Sequence, residues 1–242
     1  MVLSNKETPD KKPLNIERTI TWENPQKTLE EALILSNPEN ISKIVYDPDF
    51  KESDRYLRST LENQIPEREI EAYLQKTRTE VPNHDLCVTG VISNAGDGQK
   101  RPVFARRNLL NSQGISSISD LENAISHEAV HAEEERLGYD FGDRRIKGEE
   151  LTILFNKKHI RPEVICAIGE IDAYASQIEK GEKMERKPSP IHIINATINL
   201  CNVYNIIEKA IDNERLTPLE RKYAEAKISK HKDTIEKLKK MR

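Results

Sequence analysis

Helix-start punctuation recurs along this chain while a strand pair is signalled once, and that imbalance constrains the fold most. Thr28 with Glu31 reads as a capping box ahead of the apolar run Ala32-Leu33-Ile34-Leu35, with Asn37-Pro38 as the stop. In such a box a hydroxyl and a carboxylate satisfy backbone N–H groups that the first helical turn leaves without partners. Ser53 opens a second helix through Tyr56, Leu57 and Leu61, and Pro66 suits the first turn of a third with Ile70, Tyr73 and Leu74. Ser119-Asp120-Leu121-Glu122 is another capping box, and Gly138 is the natural stop of the helix it opens. Pro162 and Glu163 begin "EVICAIGEIDAYASQIEK", which ends near Gly181. Ser189-Pro190 starts a long apolar helix through Ile194, Ile198, Cys201, Tyr204 and Ile207, and Thr217-Pro218-Leu219-Glu220 opens a last, charged one. Against these stand "LCVTGVIS" and "PVFARRNLL", which flank the turn cluster "NAGDGQKR" and read as a β-hairpin. The expected fold is therefore mainly α (α+β), with a small antiparallel hairpin next to the helix that Ser119 begins.

The division expected is a disordered stretch at 1–15, a helical subdomain at 16–82, a central core at 83–187 and a helical hairpin at 188–242. Composition removes several functions. The net charge of -3 gives no pull toward nucleic acid, and 5% aromatic residues leave little for stacking bases. Three cysteines, Cys87, Cys166 and Cys201, are odd in number and far apart, so neither a disulfide framework nor a thiolate zinc site is implied. No apolar leader and no run of about 18 apolar residues occurs, so no membrane span and no general secretory route are expected.

Within the fourth helix stands "AISHEAVHAEEERLG", residues 124–138. Four residues are slightly more than one turn, so His127 and His131 project from one face at a separation that one ion can bridge. Glu128 lies beside that point without ligating. Zinc held this way keeps a position open for water, and Glu128 is the expected general base and acid of peptide hydrolysis. Small Ala129 and Ala132 leave room, and Glu133, Glu134 and Glu135 read as a solvated acidic face.

A third ligand is needed. Glu134 stands where an extended H-E-x-x-H-x-x-G-x-x-H motif has glycine, and Leu137 where it has the last histidine, which excludes that arrangement. Glu170 is the leading candidate, a carboxylate amid the small and apolar residues of "AIGEIDAYASQ". Asp172 is the reserve ligand or a group that orients a histidine, and His159 and His192 are further alternatives. "PVFARR" is the candidate edge strand along a cleft, with Arg106 and Arg107 near the substrate. Tyr139, Tyr174 or His159 is the candidate oxyanion donor. The segment 139–162 reads as a lid or self-inhibiting loop.

"HEAVH" followed by "GEIDAYA" on a later helix resembles the gluzincin layout of zinc metallopeptidases. The second helix is similar to the E-x-E-A-N-x-F-A stretch of ImmA/IrrE-type bacterial peptidases, with Glu170 at the first acidic position, Asp172 at the second and Ala173 at the alanine. The likeness covers roughly residues 86–180. It departs in its long spacer between His131 and Glu170 and in Tyr174, which stands where a small polar residue is usual. It implies a zincin-like core, Zn2+ held by His127, His131 and Glu170, and a peptide or protein substrate. A bacterial protein is implied, acting in the cytoplasm as a regulator or delivered as an effector by a specialised secretion system. The competing expectation is a non-catalytic helical interaction protein with an incidental or structural HExxH. Its last helix, amphipathic through Leu219, Tyr223, Ile228, Ile235 and Leu238, would pack on its predecessor or dock a partner.

Overall fold

The computed structural model of the chain describes residues 20, 22–62, 64–80, 86–88, 94–112 and 114–240. The stretch 1–15 expected to be disordered lies outside them, as do residues 89–93 of the expected first strand "LCVTGVIS". Nine α-helices stand among the described residues: α1 (Pro25–Ser36), α2 (Lys51–Leu61), α3 (Glu67–Glu80), α4 (Ile118–Leu137), α5 (Gly148–Asn156), α6 (Pro162–Lys183), α7 (Pro190–Asp212), α8 (Pro218–Lys230) and α9 (Lys232–Lys240). The strands are β1 (Ile41–Tyr46), β2 (Leu86–Val88), β3 (Arg101–Ala105), β4 (Tyr139–Asp140) and β5 (Arg145–Ile146). The fold is thus mainly helical, as the capping signals imply. None of the helices is long and apolar enough to cross a membrane.

Several helices begin where a better-placed cap lies. Asn24 and Pro25, not Thr28, start α1: the Asn24 side chain accepts from Lys27 N, and Thr28 Oγ1 turns back to Asn24 O. Asp47 accepts from Glu52 N and Ser53 N, so α2 starts at Lys51 rather than Ser53. Ser189 and Thr217 cap α7 and α8 as expected. Helix α6 runs past Gly181, where a Cβ would stand 2.7 Å from Ile193 Cδ1 on α7. The final helix breaks at His231 into α8 and α9, and both pack on α6.

The expected hairpin is present as the antiparallel pair β2–β3. A parallel strand, β1, pairs with the other side of β3, giving the order β1-β3-β2. β3 is therefore central and buried throughout, not the edge strand expected of "PVFARR". A register irregularity between Ile41 and Lys43 puts buried Ile41 and Ile44 out of strict alternation, which hides β1 from a period-two reading.

Two hydrophobic clusters meet where α4 packs on α6. Leu29, Ala32, Ile41 and Ile44 share one with Val103, Leu121, Ile125 and Ala132, so α1 and β1 belong to the core of α4 rather than to a separate N-terminal subdomain. Only Leu57, Leu61, Ile70 and Leu74 of α2 and α3 form a small cluster of their own. The other large cluster joins Ile165, Ile168, Ile171, Ala175 and Ile178 of α6 to α7, α8 and α9. It also takes in Tyr139, Phe141, Ile146, Leu151 and Ile160, so 139–162 is packed structure and not a lid. On α7 the inward residues are His192, Ala196, Leu200, Tyr204 and Ile207, whereas Ile194 and Ile198 are 51% and 52% exposed. Isoleucines on both faces of α7 blur its periodicity, so the sequence reading turned the helix by part of a turn.

Candidate metal centre

Position begins with the cap of α4. Ser117, not Ser119, is its N-cap: Ser117 Oγ accepts from Asp120 N at 3.1 Å and Asp120 Oδ2 accepts from Ser117 N at 3.0 Å. The second Asp120 oxygen accepts from Ser189 N at 2.6 Å, tying the start of α7 to the start of α4. Gly138 ends α4 at φ 89°, where a Cβ would stand 2.7 Å from Ile146 O. Between these ends α4 and α6 run antiparallel, joined by successive rungs one helical turn apart. Asn123 Nδ2 donates to Gln177 O at 2.9 Å, the rings of His127 and Tyr174 stand 4.5 Å apart, and His131 meets Glu170.

His127, His131 and Glu170 thereby converge. The two Nε2 atoms are 3.2 Å apart, Glu170 Oε2 lies 3.3 Å from His127 Nε2, and Glu170 Oε1 lies 3.4 Å from His131 Nε2. These residues could hold a metal ion, and among the described residues they are the one group of three His, Cys, Asp or Glu side chains that could. Their charges want a cation between them. Burial works against a charged His131, but its hydrogen bond to Glu170 and the nearby carboxylates of Glu170, Glu128 and Glu134 push its pKa up to about 9. Burial would raise the Glu170 carboxyl, yet the hydrogen bonds from His127 and His131 hold it well below the usual carboxylate range. Either a proton or a metal cation can supply the positive charge.

The cluster opens on a cavity of about 680 Å³, within the size range of small-ligand sites. Glu128, 8% exposed, lines it beside His127. Tyr174 lines it too, and its hydroxyl accepts from Asn199 Nδ2 at 3.3 Å; burial pushes the phenol pKa up to about 12. Tyr139 reaches the other end, donating to Glu135 Oε1 at 3.0 Å. His159 is exposed on the α5–α6 connection and does not line the cavity, so it is neither the third ligand nor the oxyanion donor. His192 lines the cavity away from the cluster: Nδ1 donates to Gly114 O at 2.7 Å and Nε2 meets Gln177 Nε2 at 2.9 Å. Burial lowers its pKa, so this histidine is a neutral strut.

Asp172 is not a reserve ligand. It points away from the cavity into a network with Lys227, Lys230 and His231. Glu134 and Glu135 are not a solvated face either. Glu134 is 5% exposed and bound to Tyr223 and Lys227, while burial raises the pKa of Glu135. Arg106 is 2% exposed and bound to Asp47 and Ser53, and Arg107 pairs with Asp49 at the surface; neither lines the cavity. The sequence reading missed Asn195 and Asn199, which with Ile198 bring α7 into the cavity wall. One signal could have found them: Pro190 to Ile207 contains no Asp, Glu, Lys or Arg in a chain that is 33% charged. Comparison with known protein families, curated proteins and solved structures finds no match to this chain.

Proposed function

We propose that the protein is a zinc-dependent peptidase of zincin-like core, with His127, His131 and Glu170 as metal ligands and Glu128 as general base and acid. One observation carries the reading. Donor atoms about 2.0–2.2 Å from one tetrahedral ion stand about 3.3–3.6 Å from each other. Here the two Nε2 atoms stand 3.2 Å apart, one Glu170 oxygen lies 3.3 Å from His127 and the other 3.4 Å from His131, and with one ligand atom taken per residue all three lie within 4.8 Å of one another. Bound there, zinc would supply Lewis acidity to the substrate carbonyl and ease deprotonation of water. Glu128 accepts the water proton as the water oxygen bonds to the carbonyl carbon. It returns that proton to the leaving nitrogen as the C–N bond breaks. The neutral amides of Asn195 and Asn199, which line the cavity, would bind peptide backbone, and Tyr174, its ring tilted against His127, would be the oxyanion donor. Among the described residues no Lys or Arg lines the cavity, which disfavours phosphorylated or strongly acidic substrates.

Metal content by plasma mass spectrometry, with cleavage of a peptide library, tests this. About one zinc per chain is expected in wild type and in Glu128→Ala, with clear loss in Glu170→Ala; only zinc-loaded wild type cleaves. Zinc retained in Glu170→Ala removes that ligand. No zinc after reconstitution overturns the enzyme reading in favour of a helical interaction protein.

A further inference from the structure

Next to the cluster, α4 and α6 each bring a second carboxylate toward α8: Glu134, at the margin of the cavity, and Asp172, outside it. Glu134 follows His131 by three residues and Asp172 follows Glu170 by two. Both are buried, at 5% and 1% exposure. Between them sits one ammonium from α8: Lys227 Nζ lies 2.5 Å from Glu134 Oε1 and 2.7 Å from Asp172 Oδ2. Lys227 is itself 4% exposed. We infer that Lys227 is a positioning residue for the His127–His131–Glu170 cluster, its ammonium joining the two helices that carry these side chains and fixing their separation. The metal-site role rests on the peptidase reading above.

The physical case is one of shared counter-charge. Two buried carboxylates brought close together repel, and an ammonium bonded to both turns that repulsion into a clamp. Other cations cannot replace it. Lys230 and His231 also bind Asp172, and His231 reaches Glu179, but these carboxylates all belong to α6 and neither cation is paired with Glu134. Tyr223 donates to Glu134 Oε1 at 2.5 Å but carries no charge to offset it. The contact is close because Gly169 stands there: a Cβ on it would be 3.3 Å from Glu134 Oε2 and 3.9 Å from His131 Cε1. The clamp thus lies against the backs of the residues that set the donor geometry. A loosening on the order of 1 Å spoils a preorganised site, and loss of groups that support metal ligands weakens metal binding about 10–100-fold.

The full chain tests this as wild type, Lys227→Met, Lys227→Met with Glu134→Gln, and Lys230→Met. Three quantities are read: zinc Kd by chelator competition, Tm, and the imidazole proton–carbon resonances of His127 and His131 in metal-free protein. Lys227→Met is expected to raise Kd about 10–100-fold and to move both resonances. Lys230→Met, which leaves α4 untouched, should stay within about twofold of wild type in Kd. The double variant removes the uncompensated Glu134 charge, so it keeps the protein foldable and recovers most of the Tm, while zinc stays about tenfold weaker. A fall in Tm with wild-type Kd and unmoved resonances, or wild-type Kd in the double variant, overturns the positioning role. If wild type binds no zinc while Lys227→Met still moves both resonances, the clamp stands and the peptidase reading falls. If it binds none and the resonances stay put, both fall.

Discussion

The two sides of the α4–α6 contact use the same residue types to opposite ends. On the cavity side, Glu170 meets His127 and His131 with Glu128 lining the same space, and among the described residues no Lys or Arg lines it. On the far side, Asp172 and Glu179 meet Lys227, Lys230 and His231 at ion-pair distance, and Lys227 also reaches Glu134 at the margin of the cavity. Asp172 and Glu170 are two residues apart on one helix, yet one carboxylate is balanced by the fold and the other by its imidazole neighbours alone. The difference teaches where to look for chemistry. A buried acid with built-in cations belongs to the scaffold, whereas acid and imidazole converging on open space leave a charge for something else to complete.

The strongest way to break this comparison is to remove one acid from each side. Asp172→Ala strands Lys227, Lys230 and His231 around a lost partner, and severing a buried pair in this way costs about 3–5 kcal/mol. Glu170→Ala in metal-free protein removes a carboxylate that is 30% exposed, from a pair with His131 at 23%; the loss expected is about 1 kcal/mol or less once solvent screening is allowed for. Urea unfolding of the two variants without metal measures both. Equal losses would mean that the cavity side is scaffold as well.

What the sequence disclosed follows the range of the interaction. The spacing of His127 and His131 is a local property of one helix, and Glu170 was conspicuous as a carboxylate among small and apolar neighbours. Helix starts at Ser189-Pro190 and Thr217–Glu220 were legible for the same reason. Thr28 and Ser119 misled because each lies near a better cap, Asn24 with Pro25 and Ser117 with Asp120, and spacing alone does not rank them. The far side could not be read at all. Asp172 looks like a ligand until Lys227, 55 positions later, is brought against it. β1 was hidden by its register irregularity, and the inward face of α7 by isoleucines on both sides.

Asp120 sharpens the comparison because its counter-charge is no side chain. It is fully buried, and its oxygens accept from backbone N–H groups of Ser116, Ser117 and Ser189. Burial raises its pKa, but the hydrogen bonds from the backbone and side chains of Ser116 and Ser189 outweigh it and hold the carboxyl below its ordinary value. A depressed carboxyl pKa stabilises the fold fully above the unfolded value of about 3.9 and ceases to do so as pH falls through the folded value. Asp120→Ala should cost about 1–2 kcal/mol at pH 7 by urea unfolding, since caps on α4 and α7 go together. Asp120→Asn should differ less from wild type near pH 3 than at pH 7. A gap that widens on acidification would contradict the depressed pKa.

The smallest effect comes from a pair of adjacent arginines that sequence cannot tell apart. Arg106 is sealed against Asp47 and Ser53, with its guanidinium 4.1 Å over the Phe50 ring. Arg107 reaches Asp49 at 2.9 Å with 68% and 53% of the two side chains exposed. An exposed ion pair gains little in water, because both partners are already solvated and must give up rotamer freedom to meet. Arg107→Ala should therefore shift unfolding by no more than about 0.5 kcal/mol and leave zinc content unchanged. A larger loss, or a change in zinc content, would show that this surface is coupled to the cavity after all. Counter-charge would then be too coarse a guide to which polar groups of this fold are scaffold.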